Sequence, residues 1–365
     1  MYSDETLYFL ALKEVKTIGS VLGKRLIEKF GSAKKVFTSE TEELLSVEGI
    51  TLERARNIKS FNNWQHINNI LKKCEKEGIK IYSLTQPEYP KFLREIVDPP
   101  LVLFCKGSIQ PQDHFGVAVV GSRKPTDYGV RVTEKLTDQI ASYGITVISG
   151  LARGIDSIAH SSALKAQGRT IAVLGSGVSY IYPPENKYLA EKIVRNGAIL
   201  SEFYPDEKPQ KEHFPKRNRI ISGMSIAILV TEAGENSGAL ITASFALDQG
   251  REVFAVPGNI TSENSKGTNF LIKKGAKLVQ TVEDILEEIK QFIPSLKEAI
   301  IKSDEKFIEL REEEKVIFDI LKEPHSIDEI VYKTRKNISE ILATLLNLEI
   351  KGAVIKIEGR YVRRH

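Results

Sequence analysis

The chain has 365 residues, which is enough for two or three domains and at least one large hydrophobic core. Its 52 basic and 48 acidic residues leave a net charge of only +4, so any basic surface must be local. The two cysteines, Cys74 and Cys105, are too few for a disulfide framework or a metal cluster, and they predict small buried side chains in a reducing compartment. The chain shows neither a signal-peptide pattern nor an apolar run of membrane-spanning length, so we expect a soluble, cytoplasmic protein that makes no contact with a membrane.

Residues 1–75 carry apolar residues at helical spacing and predict a helical domain. Two short turns inside it, Thr17–Ser20 and Val47–Thr51, resemble halves of a helix-hairpin-helix DNA-binding element, whose pattern is hydrophobic-x-Gly-hydrophobic-Gly. Thr17 replaces the first glycine of the pattern in one copy, and Thr51 replaces the second glycine in the other. This pattern leaves two functions open: the turns hold DNA phosphates through backbone N–H groups, or they serve only as a packing scaffold.

Between residues 78 and 290 the hydrophobic pattern changes to strands that alternate with helices. Two short strands, Lys80–Leu84 and Leu101–Lys106, come first. The alternation that follows predicts a Rossmann-like parallel sheet with helices on both faces. Ligands of such sheets bind at the carboxyl ends of the strands. The predicted parallel strands are Val117–Val120, Thr146–Ile148, Thr170–Leu174, Ala198–Leu200, Ile226–Val230 and Glu252–Val256.

The loops that follow these strands are rich in glycine and lie near cationic residues. The stretch His213–Ala243 is the most informative, because it places three cations in front of a predicted helix and continues into a buried strand and a second helix start. Helix N-termini present unpaired N–H groups and a positive dipole end, and glycine lets the backbone approach a ligand closely. We therefore predict an anion site, and the residues that this pattern nominates are Gly121, Ser122, Arg123, Ser149, Gly150, Lys216, Arg217, Arg219, Ser237 and Gly238.

Catalytic signatures are not found in the sequence. It contains neither the G-x-G-x-x-G fingerprint of dinucleotide sites nor the G-x-x-x-x-G-K-[ST] loop, and it has no metal-ligand spacing, so we expect no cofactor and no ATP hydrolysis of the P-loop kind. His160 falls in an apolar helix, where packing explains it better than proton transfer does. His213 lies beside the cationic cluster, and no acidic residue of that motif is spaced to orient it. Glu202 and Glu232 lie at strand ends, where we expect each carboxylate to pair with an arginine rather than to act as a base.

The C-terminal part of the chain begins with residues 291–311, whose high charge and Pro294 predict a linker. Residues 312–365 then predict three helices and a hairpin, which is the winged-helix arrangement, with Ser326 and Ser339 as helix N-caps. The third helix would be the recognition helix, and it carries almost no cations, so this domain could bind either DNA or a protein. The predicted helices are Glu312–Lys322, Ser326–Lys333 and Ser339–Lys351.

Six loop motifs occur together and in a recognisable order: G-S-R-x-x-T-x-Y-G, S-G-x-A-x-G-I-D, G-S-G-x-x-x-x-Y-P-x-x-N, F-P-x-R-N-R-I-I-S-G, S-G-A-L-I-T-A and V-P-G. They are similar to those of the DNA-processing protein A family, also called DprA or Smf, and the resemblance covers roughly residues 86–286. The helical module and the winged helix also resemble variable appendages of this family. The resemblance implies a non-enzymatic protein that binds incoming single-stranded DNA during natural transformation. It further implies that the protein helps to load the RecA recombinase and works as a homodimer through its Rossmann-like domain.

Carried over residue by residue, the resemblance assigns the phosphate-binding loop to Gly121, Ser122 and Arg123. Phe214 would offer a stacking face for a base. Contacts of this kind hold phosphates without reading base edges, so binding should not depend on the DNA sequence. No motif places the dimer surface or the RecA surface. Support for the phosphate-binding loop would come from Ser149, Gly150, Lys187, Arg217, Asn218 and Arg219.

Two other classes of function remain open at this level. A Rossmann-like nucleotide phosphoribohydrolase places a glycine-rich loop and a glutamate at the same edge of the sheet, which Glu232 with Gly234 and Gly238 could imitate. The signature of those enzymes, P-G-G-x-G-T, is replaced here by the segment Ser237–Thr242. A transcription regulator led by the winged helix is the third class, and the low cation content of the recognition helix argues against it.

Overall fold

The computed structural model describes residues 2–293, 312–350, 353–357 and 359–363. The chain forms two compact units, Met1–Ile293 and Pro294–His365. Residues 294–311 of the predicted linker 291–311 lie outside the described residues. Because residues 1–293 form one unit, the division of that unit into residues 1–75 and 78–290 stays a prediction from the sequence.

The first unit contains fourteen α-helices within the described residues, and the amino-terminal six precede the first strand. They are α1 (Asp4–Glu14), α2 (Ser20–Phe30), α3 (Ala33–Thr38), α4 (Thr41–Leu45), α5 (Leu52–Lys59), α6 (Trp64–Lys76), α7 (Lys91–Glu95), α8 (Asp127–Ser142), α9 (Ile155–Lys165), α10 (Lys187–Asn196), α11 (His213–Gly223), α12 (Gly238–Asp248), α13 (Lys266–Lys273) and α14 (Val282–Ile289).

The strands of this unit include all six that the apolar runs predicted, each within one residue of the predicted bounds. The central strands are buried along their whole length, because helices cover both faces of a parallel sheet. The strands are β1 (Lys80–Ser83), β2 (Val102–Gly107), β3 (Gly116–Val120), β4 (Val147–Ser149), β5 (Thr170–Val173), β6 (Ala198–Ser201), β7 (Ser225–Val230), β8 (Glu252–Ala255) and β9 (Lys277–Leu278).

These nine strands form one sheet in the order β1-β2-β6-β5-β4-β3-β7-β8-β9. The strands from β6 to β9 in this order pair in parallel, whereas β2 pairs antiparallel with both β1 and β6. The two short early strands thus extend the predicted parallel sheet at one edge. The strand order reverses between β3 and β7, and open α/β sheets bind their ligands at such a switch point.

The amino-terminal helices pack directly on the α/β part of the unit. A Cβ atom at Gly23 in α2 would lie 2.5 Å from the Leu101 side chain, so this glycine permits close contact between the two parts. The Lys24 Nζ also donates a hydrogen bond of 2.8 Å to the Ile96 carbonyl. Phe9, Leu26 and Phe104 belong to one continuous buried cluster. The helices and the sheet therefore share a hydrophobic core.

The two hairpin turns show why their pattern asks for glycine at its first position. Thr17 has a φ of +73° and Gly49 has a φ of +87°, so both first positions adopt the left-handed backbone conformation. The second positions, Gly19 and Thr51, both have a φ of −89° and act as helix N-caps. Thr51 is therefore unstrained, whereas Thr17 holds a conformation that disfavours a β-branched residue.

We expect Thr17→Gly to raise the free energy of unfolding by about 0.5–1 kcal/mol. The left-handed conformation costs an L-residue about 1–2 kcal/mol, and the greater freedom of glycine in the unfolded chain offsets roughly half of this gain. The melting temperature of the full chain provides the measurement. Thr51→Gly is the matched control and should bring no gain, because its φ is already favourable and its side chain accepts a hydrogen bond from the Arg54 N–H. Equal effects of both substitutions would contradict strain at Thr17.

The second unit contains α15 (Glu312–Ile320), α16 (Ile327–Thr334), α17 (Ile338–Ile350) and a hairpin of β10 (Val354–Ile357) and β11 (Arg360–Arg363), which is the predicted winged-helix arrangement. Ser326 caps α16 as predicted, since its Oγ accepts a hydrogen bond from the Glu329 N–H. The predicted cap Ser339 is wrong, because α17 begins at Ile338. Instead, the Asn337 Oδ1 accepts a hydrogen bond of 3.0 Å from the Ser339 N–H.

Cys74 and Cys105 are both buried, as predicted, and burial raises the pKa of each thiol to about 12. Within the described part of the chain, every helix is too short or too polar to cross a lipid bilayer.

Candidate functional site

The loops after β3 and β7 meet at the switch point of the sheet. The Ser122 N–H donates a hydrogen bond of 2.7 Å to the Glu232 carbonyl, which ties the two loops together. A Cβ atom at Gly121 would lie 2.6 Å from the same carbonyl oxygen, so only glycine allows this approach. Ser122 and Arg123, two residues of the predicted phosphate-binding loop, are thereby held at the carboxyl edge of the sheet.

Glu232 anchors this junction through its side chain. Its carboxylate is buried and accepts hydrogen bonds from the Thr126 N–H, at 3.0 Å, and from the Thr126 hydroxyl. Thr126 is the N-cap of α8, so Glu232 fixes the start of that helix. The predicted pairing of Glu232 with an arginine is wrong, since the structure gives it the threonine instead. The predicted pairing is confirmed for Glu202, whose Oε2 lies 2.6 Å from the Arg219 Nη2.

The cationic residues after His213 lie inside α11, which begins at His213, and not in front of a helix as predicted. The face of the helix on which each residue lies decides what its side chain contacts. Arg217 points into the unit and is 4% exposed, and its Nη1 donates hydrogen bonds to the carbonyls of Gly150, at 2.6 Å, and Val173. Burial lowers the pKa of its guanidinium to about 10, against the attraction of Asp156. Arg217 therefore braces the loops after β4 and β5.

Four other nominated residues have internal partners as well. The Arg219 Nε lies 3.0 Å from Asp98 Oδ2, in addition to its contact with Glu202. The Asn218 side chain accepts a hydrogen bond from the Arg217 Nε and donates one to the Gly238 carbonyl. The Ser149 Oγ donates a hydrogen bond of 2.7 Å to the Val119 carbonyl, and a Cβ at Gly150 would overlap the Arg217 guanidinium. These residues support the loops through the partners named, whereas the Arg219 Nη1 is buried without a hydrogen-bond partner among the described residues.

Arg153 is an exposed cation of this edge that pairs with Glu185, and three further exposed cations, Arg123, Lys187 and Lys216, are candidate site residues from the sequence. No ion pair is found for any of the three within the residues that the structure describes. Lys187 begins α10, which follows the β5 loop, and Lys216 lies one residue before the buried Arg217. Ser237 caps α12 by accepting a hydrogen bond from the Ala239 N–H, so the second predicted helix start is confirmed at Gly238.

Phe214 lies in a recess at the carboxyl ends of β3, β4 and β5. Its half-buried ring rests on Gly175, where a Cβ atom would lie 2.9 Å from the ring. The Arg123 guanidinium carbon is 5.7 Å from the centre of the same ring, within the range of a cation–π contact. Sequence reasoning had not predicted the role of Gly175, whose only signal was its place in the G-S-G loop. The recess is lined by Arg123, Gly150, Ala152, Arg153, Gly175, Ser176, Tyr182, Pro183 and Phe214.

The two histidines of the region serve packing. His160 is completely buried and its Nδ1 lies 2.7 Å from the Thr170 Oγ1. Burial lowers its pKa to about 3, so it stays neutral at physiological pH and the packing role is confirmed. His213 stacks on Phe203 with ring centres 3.9 Å apart, and its Nε2 lies 3.4 Å from Glu207 Oε1. This acidic partner comes from the turn after β6, outside the motif that contains His213.

No group of three or more His, Cys, Asp or Glu side chains suited to a metal ion occurs among the described residues. The edge offers backbone amides, hydroxyls, exposed cations and the aromatic rings of Phe214 and Tyr182.

Family models match three parts of the chain. The model described as DNA recombination-mediator protein A matches residues 80–290. A SAM-like helix-hairpin-helix tandem matches residues 9–61, and a DprA winged helix domain matches residues 308–360. The three matches follow the order of the helical part, the sheet and the winged helix.

Individual relatives of the chain are named Smf or DNA processing protein A, in agreement with these family matches. Protein Smf of Synechocystis sp. is 35% identical over 399 aligned residues, which cover 100% of both chains. The X-ray structure of DNA processing protein A from Streptococcus pneumoniae is 34% identical, with a TM-score of 0.65 over 79% of this chain and 99% of that chain. DNA processing protein A from Helicobacter pylori, whose solved structure addresses its single-stranded DNA binding mode, is 30% identical, with a TM-score of 0.53 over 58% of this chain and 96% of that chain. The chain therefore belongs to the DNA recombination-mediator protein A family, also called DprA.

Proposed function

We propose that this chain binds single-stranded DNA, independently of base sequence, at the carboxyl edge of its sheet. One observation carries the proposal: the ring of Phe214 and the exposed guanidinium of Arg123 lie together in a recess at this edge. An aromatic face beside a cation is what an unpaired nucleotide requires, since its base can stack while its phosphate is neutralised. In duplex DNA the bases are stacked on each other and cannot reach such a ring.

The proposed phosphate contacts are Gly121, Ser122, Arg123, Lys187, Lys216 and the α12 start at Ser237–Gly238. These groups are backbone amides, hydroxyls and cations, which recognise phosphates of any sequence. Ser149, Gly150, Arg217, Asn218 and Arg219 would act indirectly, by holding the loops in place. The single-stranded DNA binding mode described for the Helicobacter pylori relative supports this choice of ligand.

We further propose that the bound strand is passed to the RecA recombinase during transformation and recombination, and that the protein works as a homodimer. Both proposals rest on family membership. Helping to load a recombinase requires a protein that holds single strands without sequence preference and releases them. Phosphate contacts meet this requirement because each is weak, exchangeable and sensitive to salt.

The nucleotide phosphoribohydrolase alternative depends on Glu232 as a catalytic carboxylate. That carboxylate is 2% exposed and accepts hydrogen bonds from the backbone and the side chain of Thr126. A general base must reach a substrate proton, and this group is enclosed by the start of α8. The geometry therefore favours binding over hydrolysis.

The transcription-regulator alternative depends on α17 as a recognition helix. Its exposed face carries Ile338, Leu342 and Leu346, which are 49%, 43% and 57% exposed. The exposed charge that accompanies them is the acidic Glu340. Major-groove readout uses polar and cationic side chains, so this face is unsuited to duplex DNA.

We expect Arg123→Ala to weaken binding to a short dT oligomer about 10- to 100-fold, because a charge-assisted phosphate contact contributes about 1.5–3 kcal/mol. A site that holds about four phosphates should give a slope near −3 in a plot of log affinity against log salt, at about −0.7 per phosphate. The variant should lower the magnitude of this slope by about 0.7. Fluorescence anisotropy across a salt series measures both quantities, and loading of RecA should fall in parallel.

Lys165→Ala is the matched control for lost positive charge. Lys165 is exposed, but it ends α9 and so lies toward the amino edge of the sheet. Equal affinities of wild type and Arg123→Ala would place the DNA on the terminal domains. If the wild type failed to bind single strands and instead released ribose 5-phosphate from a nucleoside monophosphate, the enzyme alternative would replace this proposal.

A further inference from the structure

The recess around Phe214 contains a second aromatic ring, that of Tyr182. This ring is 40% exposed, although it belongs to a loop whose neighbour Pro183 is buried. Its centre lies 5.8 Å from the centre of Phe214, and the two ring planes are tilted by 49°. A large, exposed aromatic side chain beside a cationic edge suggests a ligand that covers it.

The spacing of the two rings determines how a base can contact them. One base stacked between two rings needs parallel planes about 7 Å apart, which is twice a van der Waals contact of roughly 3.5 Å. Tyr182 and Phe214 are closer than that and are not parallel, so no base fits between them. Each ring would instead take a base on a face of its own. Two faces at an angle suit two successive bases of a strand that bends at this point.

The cations near the recess are also distributed between the two rings. Arg123 lies over the Phe214 ring, at 5.7 Å from its centre. Arg153 lines the recess with Tyr182 and is held by an ion pair with Glu185, in the segment that follows the tyrosine. Lys187 follows two residues later, at the start of α10. Each ring therefore has a cation within the same loop system, so that each could hold one nucleotide by its base and its phosphate.

We infer that Tyr182 is a second base-stacking residue, and that the site binds two adjacent unpaired nucleotides, one on Phe214 and the next on Tyr182. This inference rests on the proposed single-stranded DNA binding and specifies how that site contacts the strand. Stacking is tolerant of base identity, because every base has a π face, so a second ring adds affinity without adding sequence preference.

Affinities for a dT oligomer and for an abasic oligomer of the same length test the inference. We expect Tyr182→Ala to weaken dT binding about 5- to 100-fold, which is the range for one stacked base, and to change abasic binding less than twofold. Tyr182→Phe should bind like the wild type, because the ring and not the hydroxyl makes the contact. Arg123→Ala should weaken both oligomers, since phosphates are present in each.

A double-mutant cycle separates direct stacking from mere support of the Phe214 ring. If Tyr182 contacts its own base, Tyr182→Ala will weaken dT binding again by a similar factor in the Phe214→Ala background. If it only positions Phe214, the second substitution will have no further effect, and the inference will be overturned while the proposed function stands.

Fluorescence supplies a direct readout of the contact. The single tryptophan, Trp64, packs among Tyr8, Phe37 and Phe61 and can be replaced by phenylalanine. In that background, Tyr182→Trp should be quenched by dT and not by the abasic oligomer. Absence of quenching at saturating dT would refute the stacking of a base on position 182. Absence of dT binding by the wild type would instead refute the proposed function itself.

Discussion

Arg217→Ala is expected to lower the free energy of unfolding by about 3–5 kcal/mol, the range seen when a buried charged residue with several partners is removed. The substitution takes away the hydrogen bonds to the carbonyls of Gly150 and Val173. It also removes the cation that opposes the effect of burial on Asp156, whose pKa is already raised by desolvation. Urea unfolding followed by circular dichroism measures the loss.

Lys216→Ala is the matched control, because Lys216 is the adjacent residue of the same helix and is exposed. Its removal should change stability by less than about 0.5 kcal/mol, as is usual for surface positions. It should nevertheless weaken single-stranded DNA binding and lower the magnitude of the salt slope by about 0.7. The opposite result, a stable Arg217→Ala variant with lost DNA binding, would mean that Arg217 contacts the DNA directly.

Gly154→Ala is expected to disturb the loop that carries Arg123 and to cost about 2–5 kcal/mol of stability, from roughly 1–2 kcal/mol of backbone strain and about 1–3 kcal/mol of overpacking. Gly154 has a φ of +76° and a ψ of −128°, a conformation that side chains disfavour. An added Cβ would lie 2.8 Å from the Arg123 carbonyl carbon and closer still to the Ser122 carbonyl oxygen. The loop Ser122–Arg123 would have to move, so DNA affinity should fall as well.

Gly144→Ala controls for the positive φ alone. Gly144 also has a φ of +76°, but a Cβ there would meet nothing within 4 Å. This variant should lose only the roughly 1–2 kcal/mol of backbone strain and should keep its affinity for single strands. The difference in the free energy of unfolding between the two variants measures the cost of disturbing the contact between the loops after β3 and β4. If both variants bound DNA equally well, the position of the Ser122–Arg123 loop would not matter for binding.

The positions of the strands and helices could be predicted from the sequence because their signals are local. Continuous apolar runs such as Ile226–Val230 mark strands that are buried on both faces, and turn residues bound them. The glycine loops could be placed for the same reason, since a strand of known direction leads into each. The first glycine position of the hairpin turns was also readable, although only the backbone angle of Thr17 showed that the replacement is strained.

The functional roles of single side chains could not be predicted in the same way. Lys216, Arg217 and Arg219 look equivalent in the sequence, and the start of α11 at His213 decides which of them are buried. Tyr182 gave no signal for its partner Phe214, because Phe214 belongs to α11 and is distant in the chain. Glu207 gave none because only the folded turn after β6 brings its carboxylate to His213.

By itself, the sequence determined the parallel α/β class, the terminal helical and winged-helix modules and the set of glycine loops at the carboxyl edge of the sheet, since these follow from periodicity and turn chemistry within short segments. Only the tertiary structure decided the strand order, which brings the loops after β3 and β7 together at the switch point. It also decided which cations remain exposed and which aromatic rings share a recess. The physical reason is that burial and side-chain partners depend on contacts between residues far apart in the chain, such as Ser122 with Glu232 and Arg217 with Gly150.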